Sequence, residues 1–199
     1  MNRNLTVVIQ AGGRSSRMGQ DKALVNLGGK PLIEHLIESV DSIADDIVII
    51  TNNKPAFMHY GLRLVSDKNP GAGALPGLQT ALQASSGTHM LLVACDMPFA
   101  SRPLLEFQVE QAIVKHADVV VPRWDHHLQT MHAVYRRDTC LAAVTDALAT
   151  ESKRMISFYP DVLVHILEPE DISEFTTTGR PFFNVNTPAD LAEAEKMLY

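Results

Sequence analysis

The sequence between Val7 and Lys22, "VVIQAGGRSSRMGQDK", joins a short β-branched run to a loop rich in glycine and cations. Gly12 and Gly13 let the backbone pass close to a ligand and turn successive N–H groups toward an anion. Arg14, Arg17 and Lys22 follow, and all three suit phosphate oxygens. The chemistry this predicts is binding of a polyphosphate. The loop is not a dinucleotide fingerprint, because "AGGRSSRMG" lacks G-x-G-x-x-G. It is not a P-loop either, since from Gly13 the next glycine is Gly19 and the lysine is Lys22.

A carboxylate complements that loop. In "VACDMPF" (93–99), Asp96 directly follows an apolar run, and Pro98 ends the extended stretch. A hard carboxylate near a bound polyphosphate suits magnesium, which takes one or two carboxylates plus phosphate oxygens and water. Asp96 is therefore the candidate metal ligand, with capping of the next turn as the plain alternative. A second glycine-rich stretch, "VSDKNPGAGALPGLQTAL" (65–82), offers Asp67 to sugar hydroxyls or a base amine, and its backbone around Gly71, Gly73 and Gly77 to a base edge. Asn184 and Asn186 in "GRPFFNVNTP" have period-2 spacing and would share one face of an extended segment, either at a substrate or closing local backbone bonds. Cys95 reads as a packing residue, with no histidine placed beside it. His126 and His127 are adjacent and point apart in extended chain, which disfavours a shared metal. His132 and His165 lie in strand patterns and read as structural.

These loops need a scaffold that brings strand ends together. Continuous apolar runs at 5–10, 46–51, 62–65, 89–94 and 117–122 read as strands buried on both faces, as in a parallel sheet. Further strands are expected at 131–136 and 162–167, with a short extended piece at 182–186. Helices are expected over 30–43, 75–85, 101–117, 138–149 and 187–198, with Ser101 and Thr187 as N-caps and Pro103 and Pro188 in the first turns. The alternation predicts βαβ units and a three-layer α/β/α sandwich with a mostly parallel sheet. In such sheets ligands sit beyond the carboxyl ends of the strands, where all these loops emerge.

At 199 residues the chain has room for one large domain, and no repeat, linker or low-complexity tract divides it. A net charge of −6 argues against nucleic acid or an anionic membrane as partner. Two cysteines without C-x-x-C spacing fit a reducing compartment, and no window has the apolar length of a spanning helix or a secretory signal. The expectation is a soluble, cytoplasmic protein.

Four pieces, "AGGRSSRMGQDK", "PGAGALPGL", "CDMP" and "FFNVNTP", occur in the order and spacing of the MobA family of molybdenum cofactor guanylyltransferases, and the resemblance covers essentially the whole chain. It implies a Rossmann-like nucleotidyltransferase that moves GMP from GTP to the terminal phosphate of molybdopterin and releases diphosphate with the help of Mg2+. Its N-terminal half would bind nucleotide and its C-terminal half the pterin. It also implies molybdoenzymes or their chaperones as partners. Gln10, Ala11, Gly12 and Gly13 resemble the loop that wraps the nucleotide. Lys22 resembles the phosphate-binding lysine, and Asp96 falls at the magnesium ligand. Arg17, Lys22 and Asp96 would carry catalysis. Asn52 and Asp67 align with nucleotide contacts, and Gly73, Ala74, Leu75 and Gly77 with the guanine loop. Lys153, Arg154, Asn184 and Asn186 align with the pterin side. Gln10 stands where the family has leucine and Ala74 where it has proline, both bearing on base choice. The alternatives are a cytidylyltransferase for the same cofactor, a sugar-phosphate nucleotidyltransferase, and a nucleotide-binding adaptor without catalysis.

Overall fold

A computed structural model of the chain describes residues 4–11, 21–44 and 46–198. In chain order, β1 (Leu5–Gln10) is followed by the small hairpin β2 (Asn26–Leu27) and β3 (Lys30–Pro31), α1 (Leu32–Val40), β4 (Asp46–Ile50), α2 (Lys54–Phe57), β5 (Arg63–Val65) and α3 (Ala74–Ala84). Then come β6 (His89–Ala94), α4 (Arg102–Val114), β7 (Val119–Trp124), β8 (His127–Leu128), β9 (His132–Arg136), α5 (Arg137–Ala149), β10 (Val164–Leu167) and α6 (Pro188–Met197).

The central sheet has the order β10-β7-β9-β6-β1-β4-β5, with β8 attached to β7. β1 pairs in parallel with both β4 and β6, placing Gln10 beside Ile50 on one side and Ala94 on the other. β9 runs antiparallel between β6 and β7, so His132 enters at the edge where β6 leaves. The sheet is thus mixed but mostly parallel, and the carboxyl ends of β1, β4, β5, β6 and β7 share one edge.

Alternation along the buried strands explains the three layers. Val7, Ile9, Ile49, Leu91 and Val93 face the apolar sides of α1 and α4, through Ile33, Leu36, Leu104 and Leu105. Val8, Val48, Ile50, Met90 and Leu92 face α3 and α5, through Leu75, Leu78, Leu82 and Val144. Each of these side chains, fully withdrawn from water, contributes about 1.5–3 kcal/mol. A third small cluster joins Val25, Leu27 and Leu32 to Val185 and Ala194, fastening α6 beside the hairpin.

Some local expectations change. Residues 182–186 form no strand. Arg180–Phe182 is a single 3-10 turn opened by Pro181, and Asn184 Nδ2 donates to Phe182 O at 2.9 Å, closing the chain on itself. α1 starts after Pro31 and stops at Val40, because Asp41 returns to extended backbone and Ser42 is left-handed. Ser101 occupies the N-cap position of α4, but its hydroxyl makes no capping bond. Thr187 caps α6 as expected, accepting the Asp190 N–H at 3.2 Å. Among the described residues no helix is long and apolar enough to cross a membrane.

Candidate active site

The shared strand edge opens into a cleft of about 690 Å³, walled by Gln10 and Ala11 after β1, Thr51 and Asn52 after β4, Asp67 after β5, and Gly73, Ala74 and Gly77 at the start of α3. Backbone bonds extend the sheet one residue further and hold these ends in place. Ala11 N donates to Ile50 O at 3.0 Å, Thr51 N to Val65 O at 2.9 Å and Cys95 N to Gln10 O at 3.1 Å. Asp67 Oδ1 accepts from Asn69 N at 3.0 Å and from the buried Thr80 hydroxyl at 3.4 Å, which orients its carboxylate. Gly73 has φ +119°, a conformation that side chains disfavour, and it begins α3 without a side-chain cap. The first N–H groups of α3 are thereby left for an incoming acceptor, where the helix dipole favours negative charge.

Lys22 and Asp96 meet although 74 residues separate them, because β1 and β6 are neighbours in the sheet and the turn that begins at Lys22 lies against the end of β6. Lys22 begins a 3-10 turn (Lys22–Leu24) anchored by the buried Ala23, and Asp21 Oδ1 accepts the Ala23 N–H. Its Nζ lies 2.6 Å from Asp96 Oδ2 and 2.6 Å from Asn186 Oδ1. Both charged side chains are 19 % exposed, so the pair is less screened than a surface ion pair. The Asp96 carbonyl accepts from Val185 N at 2.9 Å, tying this loop to the segment that carries Asn186. Asp96 Oδ1 is buried and has no hydrogen-bond partner among the described residues. An anionic oxygen left in that state suits a cation. Among the described residues no three His, Cys, Asp or Glu side chains gather to hold a metal on their own.

A second hollow of about 560 Å³ opens along the same edge, past β7, between Trp124, His127, Arg180, Phe182, Asn184 and Glu193. Trp124 and Phe182 rings lie 6.0 Å apart, and Arg180 sits over Phe99 at 4.7 Å. Gly179, with φ +71°, admits Trp124 directly against its Cα: an added Cβ would lie 1.9 Å from Trp124 Nε1.

Most of the expected residues therefore converge on one edge, with exceptions. Leu75 is fully buried in the core under α3 and does not face the cleft. Asn184 and Asn186 separate, the first lining the second hollow and the second holding Lys22. The Lys153 carbonyl comes within 3.9 Å of where a Gly73 Cβ would be, which places the Lys153 backbone beside the start of α3, and neither Lys153 nor Arg154 lines the second hollow. Gly12, Gly13, Arg14 and Arg17 lie outside the described residues. Asp21, Thr51, Asn53 and Met131 also wall the cleft, and sequence reasoning passed over them. Asp21 is adjacent to Lys22 in the motif, which is a usable signal, whereas Met131 enters only because β9 is antiparallel.

Cys95 and His132 stay structural. Burial pushes the Cys95 thiol far up, which rules against a thiolate nucleophile. Burial lowers His132 to about 4, and its ring meets Phe182 edge-on at 5.1 Å.

The model of the MobA-like NTP transferase domain matches residues 7–162. The chain belongs to this family. Relatives of the MobA-like family include a probable molybdenum cofactor guanylyltransferase of Pelotomaculum thermopropionicum, 38 % identical over 96 % of this chain and 92 % of the relative. Another protein of the same name, from Carboxydothermus hydrogenoformans, is 36 % identical over 98 % of this chain and 95 % of the relative. The solved structure of molybdopterin-guanine dinucleotide biosynthesis protein A from Archaeoglobus fulgidus superposes with a TM-score of 0.83 at 26 % identity, covering 97 % of this chain and 98 % of that one. The three-layer fold and the nucleotidyltransferase class expected of a MobA-like chain both hold.

Proposed function

We propose that this chain is a molybdenum cofactor guanylyltransferase, moving GMP from GTP to the terminal phosphate of molybdopterin. The observation that carries this reading is the Lys22 ammonium, held between Asp96 and Asn186 where the loops after β1 and β6 meet the segment before α6. Full-length similarity to proteins of that name supports it.

In this reading the guanosine lies in the 690 Å³ cleft, with its base against Gly73–Gly77 and its ribose near Asp67. The triphosphate passes the first N–H groups of α3 and reaches Lys22, with Arg17 adding charge. The Lys153 backbone lies beside the same loop, and the exposed Lys153 and Arg154 would supply further positive charge to the phosphates. The pterin acceptor occupies the second hollow beside Asn184, two residues from the asparagine that holds Lys22. An acceptor phosphate oxygen attacks the α-phosphorus, the bond to the bridging oxygen breaks, and diphosphate leaves with that electron pair. The attacking phosphate is already ionised, so no general base is needed. The protein aligns the two oxygens and neutralises charge. Lys22 does so by moving from Asp96 toward the phosphates.

Asp96 fits Mg2+, because its orphaned Oδ1 supplies the hard anionic oxygen that ion prefers. Bound there with phosphate oxygens, the ion would polarise the phosphoryl group and screen the departing diphosphate. Guanine is selected over cytosine and adenine by backbone groups of the α3 loop, since a wrong base would leave those groups unpaired. The buried free thiols of Cys95 and Cys140 agree with a reducing cytoplasm, and molybdoenzymes or their chaperones would receive the product.

The test is diphosphate release from GTP, CTP, ATP and UTP, each with and without molybdopterin. Release that requires both GTP and molybdopterin is expected. Equal release from CTP and GTP overturns the guanine assignment, and no acceptor dependence overturns the transferase reading.

A further inference from the structure

The start of α6 is bonded more heavily than a helix start requires. In a capping box the N3 carboxylate accepts only the N-cap N–H, while the N-cap side chain takes the N3 N–H. Asp190 and Thr187 make that exchange, at 2.8 and 3.2 Å. The same Asp190 Oδ2 also accepts the N–H of Asn186, one residue outside the cap, at 2.8 Å. Asn186 is the residue whose side-chain oxygen holds Lys22 Nζ at 2.6 Å. On its other side the fully buried Val185 is fixed in the small core with Val25 and Leu27, and its N–H bonds the Asp96 carbonyl at 2.9 Å. The Asp190 carboxylate is the one acceptor of this exposed asparagine's backbone N–H among the described residues.

We propose that Asp190 is a positioning residue: its carboxylate sets the backbone of Asn186, and Asn186 in turn sets Lys22 against Asp96. The consequence rests on the nucleotidyltransferase reading, but the geometry does not. Asp190 lines neither the cleft nor the second hollow, and it acts through the asparagine. Its own charge is secure, because the N–H groups of Asn186 and Thr187 and the nearby Lys22 hold its carboxyl below the usual range. The N-terminus of α6 thus becomes the rigid end of a relay to a lysine 164 residues away from Asn186 in sequence.

A double-mutant cycle on the full chain tests this. Asp190→Ala keeps the Thr187 half of the box, since that bond uses the backbone N–H of residue 190. Its kcat for GTP-dependent diphosphate release should fall about tenfold, while the Kd for GTP measured by calorimetry stays within about twofold. In an Asn186→Ala background the same change should lower kcat by less than about twofold, because the route is already cut. Asp190→Asn serves as the second variant should the alanine fold poorly. A second readout needs no activity: brief acetic anhydride labelling followed by mass spectrometry, with Lys30, paired with Glu38, as internal reference. Lys22 should label faster in Asp190→Ala than in wild type, and Lys30 should not change. Additive kcat losses in the cycle, or unchanged Lys22 labelling in a folded variant, would overturn the proposal. An inactive wild type would sink the transferase reading alone, and the labelling would still decide the role of Asp190.

Discussion

The cleft beside α3 and the hollow beside Trp124 open on one sheet edge but are built differently. The cleft is walled by the ends of parallel strands and by small residues, Ala11, Gly71, Gly73, Ala74 and Gly77, so backbone groups face its interior. The hollow is walled by large side chains, Trp124, His127, Arg180, Phe182 and Glu193, carried on the end of β7, on β8, on the turn at Arg180–Phe182 and on α6. A ligand in the cleft meets positions set by the sheet ladder. A ligand in the hollow meets positions set by side-chain packing. Substitutions should therefore act on GTP turnover near the first region, and through stability and acceptor binding in the second.

The largest effect belongs to the pair where the two regions meet. Lys22→Ala should cost about 2–4 kcal/mol in kcat/KM, by comparison with removal of one preorganised charge-stabilising group, and Asp96→Asn at least as much. Thermal melting should show both variants folded. Comparable losses in kcat/KM for GTP, at saturating acceptor, from substitutions at Trp124 would dissolve the contrast between the regions.

Next comes Gly179→Ala. The left-handed backbone and the contact with Trp124 together predict a loss of about 2–3 kcal/mol in stability, read by urea unfolding. GTP affinity should hardly change in the folded variant. A large loss of GTP affinity would mean that the hollow and the cleft are one unit.

His132 lies under the partition, since Met131 walls the cleft and the His132 ring packs on Phe182. Burial holds it neutral down to about 4 in the folded chain, against about 6.5 unfolded. Between those values the unfolded chain binds the extra proton. This contribution is therefore complete well above pH 6.5 and is lost as pH falls toward 4, by about 2.5 kcal/mol at pH 4.5. Urea titrations at pH 7.5 and 4.5 measure it, and His132→Leu should show a correspondingly smaller drop.

Sequence reading located the parallel strands well, because apolar runs such as "TVVI" and "MLLV" fit only a strand covered on both faces. It placed Lys22 and Asp96 at the same edge. It could not place them in contact, because that depends on β6 lying beside β1, an order that no local pattern encodes. Period-2 spacing misled at Asn184 and Asn186, because Pro181 starts a turn and Asn184 bonds Phe182 O. At Leu75 helix phase turns the side chain into the core, which motif spacing alone does not reveal. Sequence reading did not single out Asp190, whose bond to Asn186 appears only in three dimensions.

The smallest predicted effect separates two glycines of one loop. Gly77 is helical and an added Cβ meets nothing within 4 Å, so Gly77→Ala should stabilise the chain by up to about 1 kcal/mol. Gly73→Ala, at φ +119°, should destabilise it. Paired urea midpoints suffice for the comparison.

The central claim is that the α-phosphorus of GTP is attacked where Lys22 meets Asp96. Parallel reactions with GTP labelled at the α- or the γ-phosphate, with molybdopterin as acceptor, test it most directly. The account predicts α-label in the pterin product, γ-label wholly in diphosphate, and loss of product labelling in Lys22→Ala. Label from the γ-phosphate in the pterin product, or undiminished α-labelling in Lys22→Ala, would contradict it.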